Sequence, residues 1–221
     1  MSAPAFRRWA AVVVAAGCLL GPAVSALAAA QTHSASQIAR LALLRKADLG
    51  RGWSVAAAAP ARAPGLTCRG FSPRLPGVHL RAAVASPTFQ QSAQGPFLSQ
   101  AAYLYGSGIQ QRVAWRRIVT PRLLRCAAAA LATGSGGGAS FTVTSRRVSS
   151  LRRPKGAVAR YRVGGNATGA GQTMPVYLDE LVLGRAALIT VLDVSSFDAP
   201  PSDALERHLA DLADAGLRRV R

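Results

Sequence analysis

Pro175-Val-Tyr-Leu-Asp-Glu-Leu-Val-Leu183, then Gly184-Arg185, then Ala186-Ala-Leu-Ile-Thr-Val-Leu-Asp-Val194: two β-rich runs separated by a two-residue turn read as a hairpin. Immediately upstream, Ala157 to Val163 alternates, with Ala159, Tyr161 and Val163 on one face and Arg160 and Arg162 on the other. Phe141 to Val148 reads as a further strand, Arg152-Arg-Pro-Lys-Gly156 as a turn, and Gly164 to Gly171 as a glycine-rich loop. Four consecutive strands on such short connections specify an antiparallel arrangement. Two more strands precede them, Val78 to Phe89, with Pro87 marking an edge or bulge, and Pro96 to Tyr105.

Helical periodicity brackets the strands. Gln37 to Lys46 is apolar at Ile38, Leu41 and Leu44, and Gly50 and Gly52 stop it before Trp53, which is expected to pack back on the core. Ala56 to Pro76 reads as a long irregular segment. Ile109 to Val119 forms a second helix. Thr120-Pro121 restarts a third, with threonine as N-cap, proline at the first helical position, and Leu123, Leu124, Ala127 and Leu131 as its buried stripe. A closing helix opens in the run from Pro200, is capped by Ser202 or Asp203, buries Leu205, Leu209 and Leu212, and ends at Gly216. The expected fold is α+β, an antiparallel sheet of about six strands covered by helices on both faces.

The beginning of the chain carries an address. Arg7 and Arg8 precede an apolar run ending at Leu20, Gly21-Pro22 breaks it, and small residues follow to Ala30. This is the pattern of a cleaved export signal over residues 1–30, with cleavage after Ala28 or Ala30. The apolar run is about half of what a bilayer span needs. Ala15-Ala-Gly-Cys18 offers a second reading, lipidation at Cys18 and tethering outside the membrane. Residues 31–36 are expected as a flexible leader and 37–221 as a single extracytoplasmic domain.

Charge narrows the partners. The chain has 27 Lys and Arg against 9 Asp and Glu, a net +18. No acid occurs between Asp48 and Asp179, a stretch rich in arginine. Arginine use of this kind also follows from a GC-rich coding sequence, but nine acids cannot neutralise the excess, and some face stays positive. Anionic membrane surface or wall polymer are therefore candidate neighbours, beside an unidentified small molecule or lipid. Nucleic acid is not expected, since no aromatic-interleaved binding motif is present.

Cys68 and Cys126 are the two cysteines beyond the leader, and in an oxidising compartment they read as a disulfide, worth about 4 kcal/mol on the chain-entropy model. His33, His79 and His208 lack metal-ligand spacing, and no metal or other cofactor is implied. Gly134-Ser-Gly-Gly-Gly138 lacks the Lys-Ser/Thr ending of a phosphate loop. No Gly-x-Ser-x-Gly elbow accompanies His208, so no catalytic residues are assigned and the chain reads as non-enzymatic. Asp179 and Glu180 are neighbours on a strand and point to opposite faces. One of them pairs with Arg160 or Arg162, or else contributes a charged contact to a ligand cleft. Tyr103, Tyr105 and Trp115 either fill the core or line that cleft, so the candidate ligand-binding set is Tyr103, Tyr105, Trp115, Arg160, Arg162 and Asp179.

The order of these features resembles a known group. Leu43-Leu-Arg-Lys-Ala-Asp-Leu-Gly-Arg-Gly-Trp53, a cysteine-bearing loop, Ser99-Gln-Ala-Ala-Tyr-Leu-Tyr105, a Trp115 helix running to Cys126, a strand meander through Asp179-Glu180 and a closing helix follow one another. The pattern is similar to the exported sensor-like domains of actinobacteria, including the extracellular domain of PknH-type kinases and related lipoproteins. The resemblance implies a PsbP/Mog1-like α/β/α sandwich and a ligand cleft between the sheet and a covering helix or loop.

Overall fold

A computed structural model describes residues 29–59, 76–133, 140–153 and 156–220. The helices are α1 (Ala29–Leu41), α2 (Lys46–Leu49), α3 (Gly108–Ile118), α4 (Pro121–Thr133) and α5 (Asp203–Arg218). The strands are β1 (Ser54–Ala57), β2 (Leu80–Ala85), β3 (Thr88–Gln90), β4 (Phe97–Tyr105), β5 (Ser140–Arg153), β6 (Gly156–Gly169), β7 (Gln172–Arg185) and β8 (Leu188–Phe197). They form one eight-stranded antiparallel sheet in the order β1-β3-β4-β8-β7-β6-β5, with β2 also pairing with β4. The expectation of a helix-covered antiparallel sheet holds, but the strand count is eight rather than six.

The extra strands have local causes. The single run read from Val78 to Phe89 divides at Ser86-Pro87, because proline has no N–H to give the ladder. Ser86 bridges the break: its Oγ accepts from the Gln100 N–H at 3.0 Å and its own N–H donates to the Gln100 carbonyl at 2.8 Å. β1 lies where the sequence suggested the start of an irregular segment, and pairs with β3 at the sheet edge.

Three expected connections need correction. Gly164 to Gly169 is strand, not loop, and pairs with β5 up to Ser140↔Thr168. The glycines serve close approach at a bulge between Val143 and Ser145: a Cβ on Gly165 would lie 2.5 Å from both the Phe141 ring and the Thr142 carbonyl oxygen. The β6–β7 turn is Ala170-Gly171, both with positive φ (51° and 75°), as a two-residue hairpin turn requires. The β7–β8 turn sits two residues beyond Gly184-Arg185, at Ala186-Ala187, with Ala186 at φ 50°. Gly184 stays in the strand because a side chain there would strike Gln111 and Trp115 of α3.

The helices show the same mixture. Residues 31–36, expected as a flexible leader, belong to α1, whose Ala35 is already buried. Gly50 and Gly52, both at positive φ, end α2, and Trp53 is buried in the core as expected. Ser202 caps α5, its Oγ accepting from the Leu205 N–H at 3.2 Å. Gly216 does not end α5: it lies within it, where a Cβ would come 2.6 Å from the Ala42 carbonyl oxygen.

Two cores result. On one face α1 and α5 cover the sheet, packing Ala39, Ala42, Leu209, Ala213 and Leu217 against Leu98, Leu181 and Leu192. On the other, α3 and α4 pack Ala114, Leu123, Leu124 and Ala128 against Tyr105, Tyr161, Val182 and Ile189. The bridge expected between Cys68 and Cys126 requires one correction. No disulfide joins two cysteines among the described residues, because Cys68 and Cys18 both lie outside them. Cys126, buried on α4, is disulfide-bonded rather than a free thiol.

Candidate functional site

The alternation of β7 splits its two acids between the faces, and each gathers its own polar cluster. On the α1/α5 face Asp179 lies directly opposite Arg162. Arg162 Nε donates to both Asp179 oxygens, at 2.7 and 2.9 Å, and its Nη2 reaches the Pro201 carbonyl at 2.9 Å and Glu206 at 3.3 Å. Arg160, two residues away on the same face, donates from Nη1 to Glu206 at 2.6 Å and Asp203 at 2.5 Å, and from Nε to Ser149 at 3.0 Å.

Asp179 and Glu206 are both fully buried. Hydrogen bonding to Asp179 raises the Arg162 guanidinium further above neutral. Burial and the adjacent Asp179 carboxyl raise Glu206, since three carboxyls surround two guanidiniums and one of them holds a proton most readily. Among the described residues no donor of this cluster is both buried and unpaired. It ties the first turn of α5 to β6 and β7 and is a structural clamp.

The opposite face is different. One cross-strand row runs Ser99↔Asp193↔Glu180↔Tyr161 over β4, β8, β7 and β6. Burial, then the charge of Asp193, pushes Glu180 up to about 8. Burial pushes Asp193 up to about 6, against the pull of the Ser99 hydroxyl, which donates to its Oδ2 at 3.4 Å. Two carboxyls facing each other across a strand pair disfavour double ionisation, so near neutral pH the pair keeps a proton. Glu180 Oε2 is shut away from solvent and has no hydrogen-bond partner among the described residues. Tyr103 is raised by burial and by the proximity of Asp193, Tyr105 and Glu180, which places its phenol in the same electrostatic neighbourhood. Tyr161 closes the row, its hydroxyl donating to the Ile118 carbonyl of α3 at 3.5 Å.

This row is also where the α3/α4 layer stops short. Ser99, Tyr103, Leu178, Glu180, Val191, Asp193 and Ser195 are all half-buried, whereas Leu98, Asp179, Leu181, Leu192 and Val194, on the opposite face of the same strands, are fully covered by α1 and α5. The arrangement is a partly open floor with two carboxyls, a phenol and a hydroxyl set among aliphatic side chains. It can accept hydrogen bonds and hold positive charge.

The six residues singled out from the sequence therefore do not share one site. Arg160, Arg162 and Asp179 lie on the α1/α5 face and are locked in the clamp, while Tyr103, Tyr105 and Trp115 lie on the other. Of these three, only Tyr103 reaches the acid row. Tyr105 and Trp115 pack at the β7–β8 turn end, where Tyr105 N–H donates to the Ala187 carbonyl and Trp115 lies against Gly184. Glu180 and Asp193, which the sequence reading does not bring together because it compares Glu180 only with its neighbour Asp179, are the pair it missed. The usable signal was parity plus register: Glu180 and Asp193 are an equal number of residues from the β7–β8 turn. Among the described residues no group of three or more His, Cys, Asp or Glu could hold a metal ion. No family model matches the chain, and no curated protein matches its sequence.

Proposed function

We propose that this protein is a non-enzymatic, exported binding module of the cell envelope, whose ligand rests on the half-buried floor beside α3. The observation that carries this reading is Glu180 Oε2, buried and without a hydrogen-bond partner among the described residues, next to the carboxyl of Asp193. A buried polar atom left unpaired costs roughly 1–3 kcal/mol, and a ligand that donates to it recovers that energy. The floor offers acceptors and aliphatic surface, while Arg160 and Arg162 are committed on the opposite face. The ligand class that fits carries a hydrogen-bond donor or protonated amine on an apolar body. Export through the leader in residues 1–30, and kinship with the PsbP/Mog1-like sensor domains, belong to the same proposal. The α/β/α layering supports that kinship, although the eight-stranded topology departs from the six strands expected.

The test is native mass spectrometry of the mature protein purified from its own host. The expected result is a co-purifying small molecule that is retained by wild type and lost from Glu180→Gln/Asp193→Asn. A wild type that carries no such molecule, or a variant that retains it equally, refutes the reading.

A further inference from the structure

Independently of that ligand, we propose that the outer face of α3 docks on the surface of an anionic phospholipid bilayer. The helix buries Gln111 and Ala114 and half-buries Trp115 and Ile118 toward the sheet. At 100° per residue its opposite side is centred on Ile109 and Val113, one turn apart. Ile109 is 67% exposed and Val113 45%. Arg112 and Arg116 flank this pair on one side and Arg117 on the other, all exposed. Arg122 and Arg125 of α4 add two more exposed cations. Leu80, 51% exposed, starts the strand that Gln110 of α3 holds through the His79 N–H and the Gly77 carbonyl, both at 3.3 Å.

No carboxylate answers these five arginines within ion-pair distance among the described residues. On the other side of the molecule Arg160, Arg162, Arg218 and Arg219 each meet an acid. The charge is sorted by layer. Asp203, Glu206, Asp211 and Asp214 lie on α5, while α3 and α4 contain no acidic residue. The molecule therefore presents a cationic helix pair on one side of the sheet and an acid-bearing helix on the other. A soluble polyanion would satisfy the arginines alone. The exposed aliphatic pair at their centre fits the boundary between headgroups and acyl chains, where a basic amphipathic helix lies in the interface plane.

The experiment is co-sedimentation of the mature chain with vesicles of phosphatidylcholine containing 30% phosphatidylglycerol, as composed for the assay, against phosphatidylcholine alone. Wild type is expected to bind the anionic vesicles and to lose binding steeply as salt rises. Arg112→Glu/Arg116→Glu/Arg117→Glu is expected to weaken binding by at least roughly a hundredfold, since losing three cations near the surface costs about 1 kcal/mol each before the added negative charges are counted. Arg40→Glu/Arg51→Glu/Arg207→Glu, an equal charge change at exposed sites on other elements, is expected to weaken it far less. Ile109→Ser/Val113→Ser is expected to weaken it several-fold with the melting temperature unchanged.

Carbene footprinting of wild type needs no variant to fold. Ile109 and Val113 should label in solution and be shielded on vesicles, with α5 unaffected. Equal binding to neutral vesicles, equal loss in the two arginine triples, unshielded Ile109 and Val113, or no effect of removing the aliphatic pair would each overturn the proposal.

Discussion

Replacing Glu180 by Gln isolates the energetic consequence of the acid row. The carboxyl is raised from 4.5 to about 8 by burial first and Asp193 second. A carboxyl whose folded value lies above its unfolded value binds more protons in the native state between the two. Its contribution to stability is complete below about pH 4.5 and is lost progressively as pH rises through about 8. Each pH unit in that window corresponds to at most about 1.4 kcal/mol. Glu180 is half-buried as a residue, so water screens part of the cost, and about 1–2 kcal/mol across the window is the working magnitude. Gln keeps the shape and removes the titration.

Urea unfolding of both proteins from pH 5 to 8 reads the difference directly. Other raised groups, Glu206 included, contribute to both curves and cancel to first order. Wild type should lose stability relative to Glu180→Gln as pH rises, with the gap widening by about 1–2 kcal/mol, or a few degrees in melting temperature for a domain of this size. Parallel curves would refute the claim that Glu180 holds its proton because of its surroundings.

Two further outcomes follow from the packing. Gly216→Ala sets a helix-propensity gain of up to about 1 kcal/mol against a Cβ placed 2.6 Å from the Ala42 carbonyl oxygen; overpacking of about 1–3 kcal/mol should win, and a raised melting temperature would show that α1 and α5 are not held so closely. Arg162→Met strands the buried Asp179 and should cost about 3–5 kcal/mol in chemical denaturation, whereas adding Asp179→Leu should return much of it; a single variant within 1 kcal/mol of wild type, on the order of surface substitutions, would contradict the clamp.

Much of the local structure was legible because its causes are local. The Ser202 cap, the Thr120-Pro121 restart, the alternation of Ala157 to Val163 and the inward packing of Trp53 each depend on a few neighbouring residues. The misreadings share one feature: the deciding contact comes from far along the chain. Gly164 and Gly165 look like loop residues until Phe141, Thr142 and Ser145 are seen to occupy the space their side chains would take. Gly184 looks like a turn residue until Gln111 and Trp115 are seen above it, and Gly216 like a stop until Ala42 is seen against it. In each case glycine is selected by proximity, not by backbone dihedral, and proximity between distant segments has no local signature.

By itself the sequence determined the antiparallel sheet with flanking helices, the cationic excess, and the fact that Asp179 and Glu180 face opposite ways, because strand period and side-chain chemistry are properties of short stretches. The tertiary structure alone decided that Asp179 is neutralised by Arg162 while Glu180 meets Asp193, and that the acid-bearing α5 and the acid-free α3 cover opposite faces of the sheet. Those outcomes depend on strand register and on which helix covers which face, and both are fixed by the burial of two separate cores rather than by any run of residues.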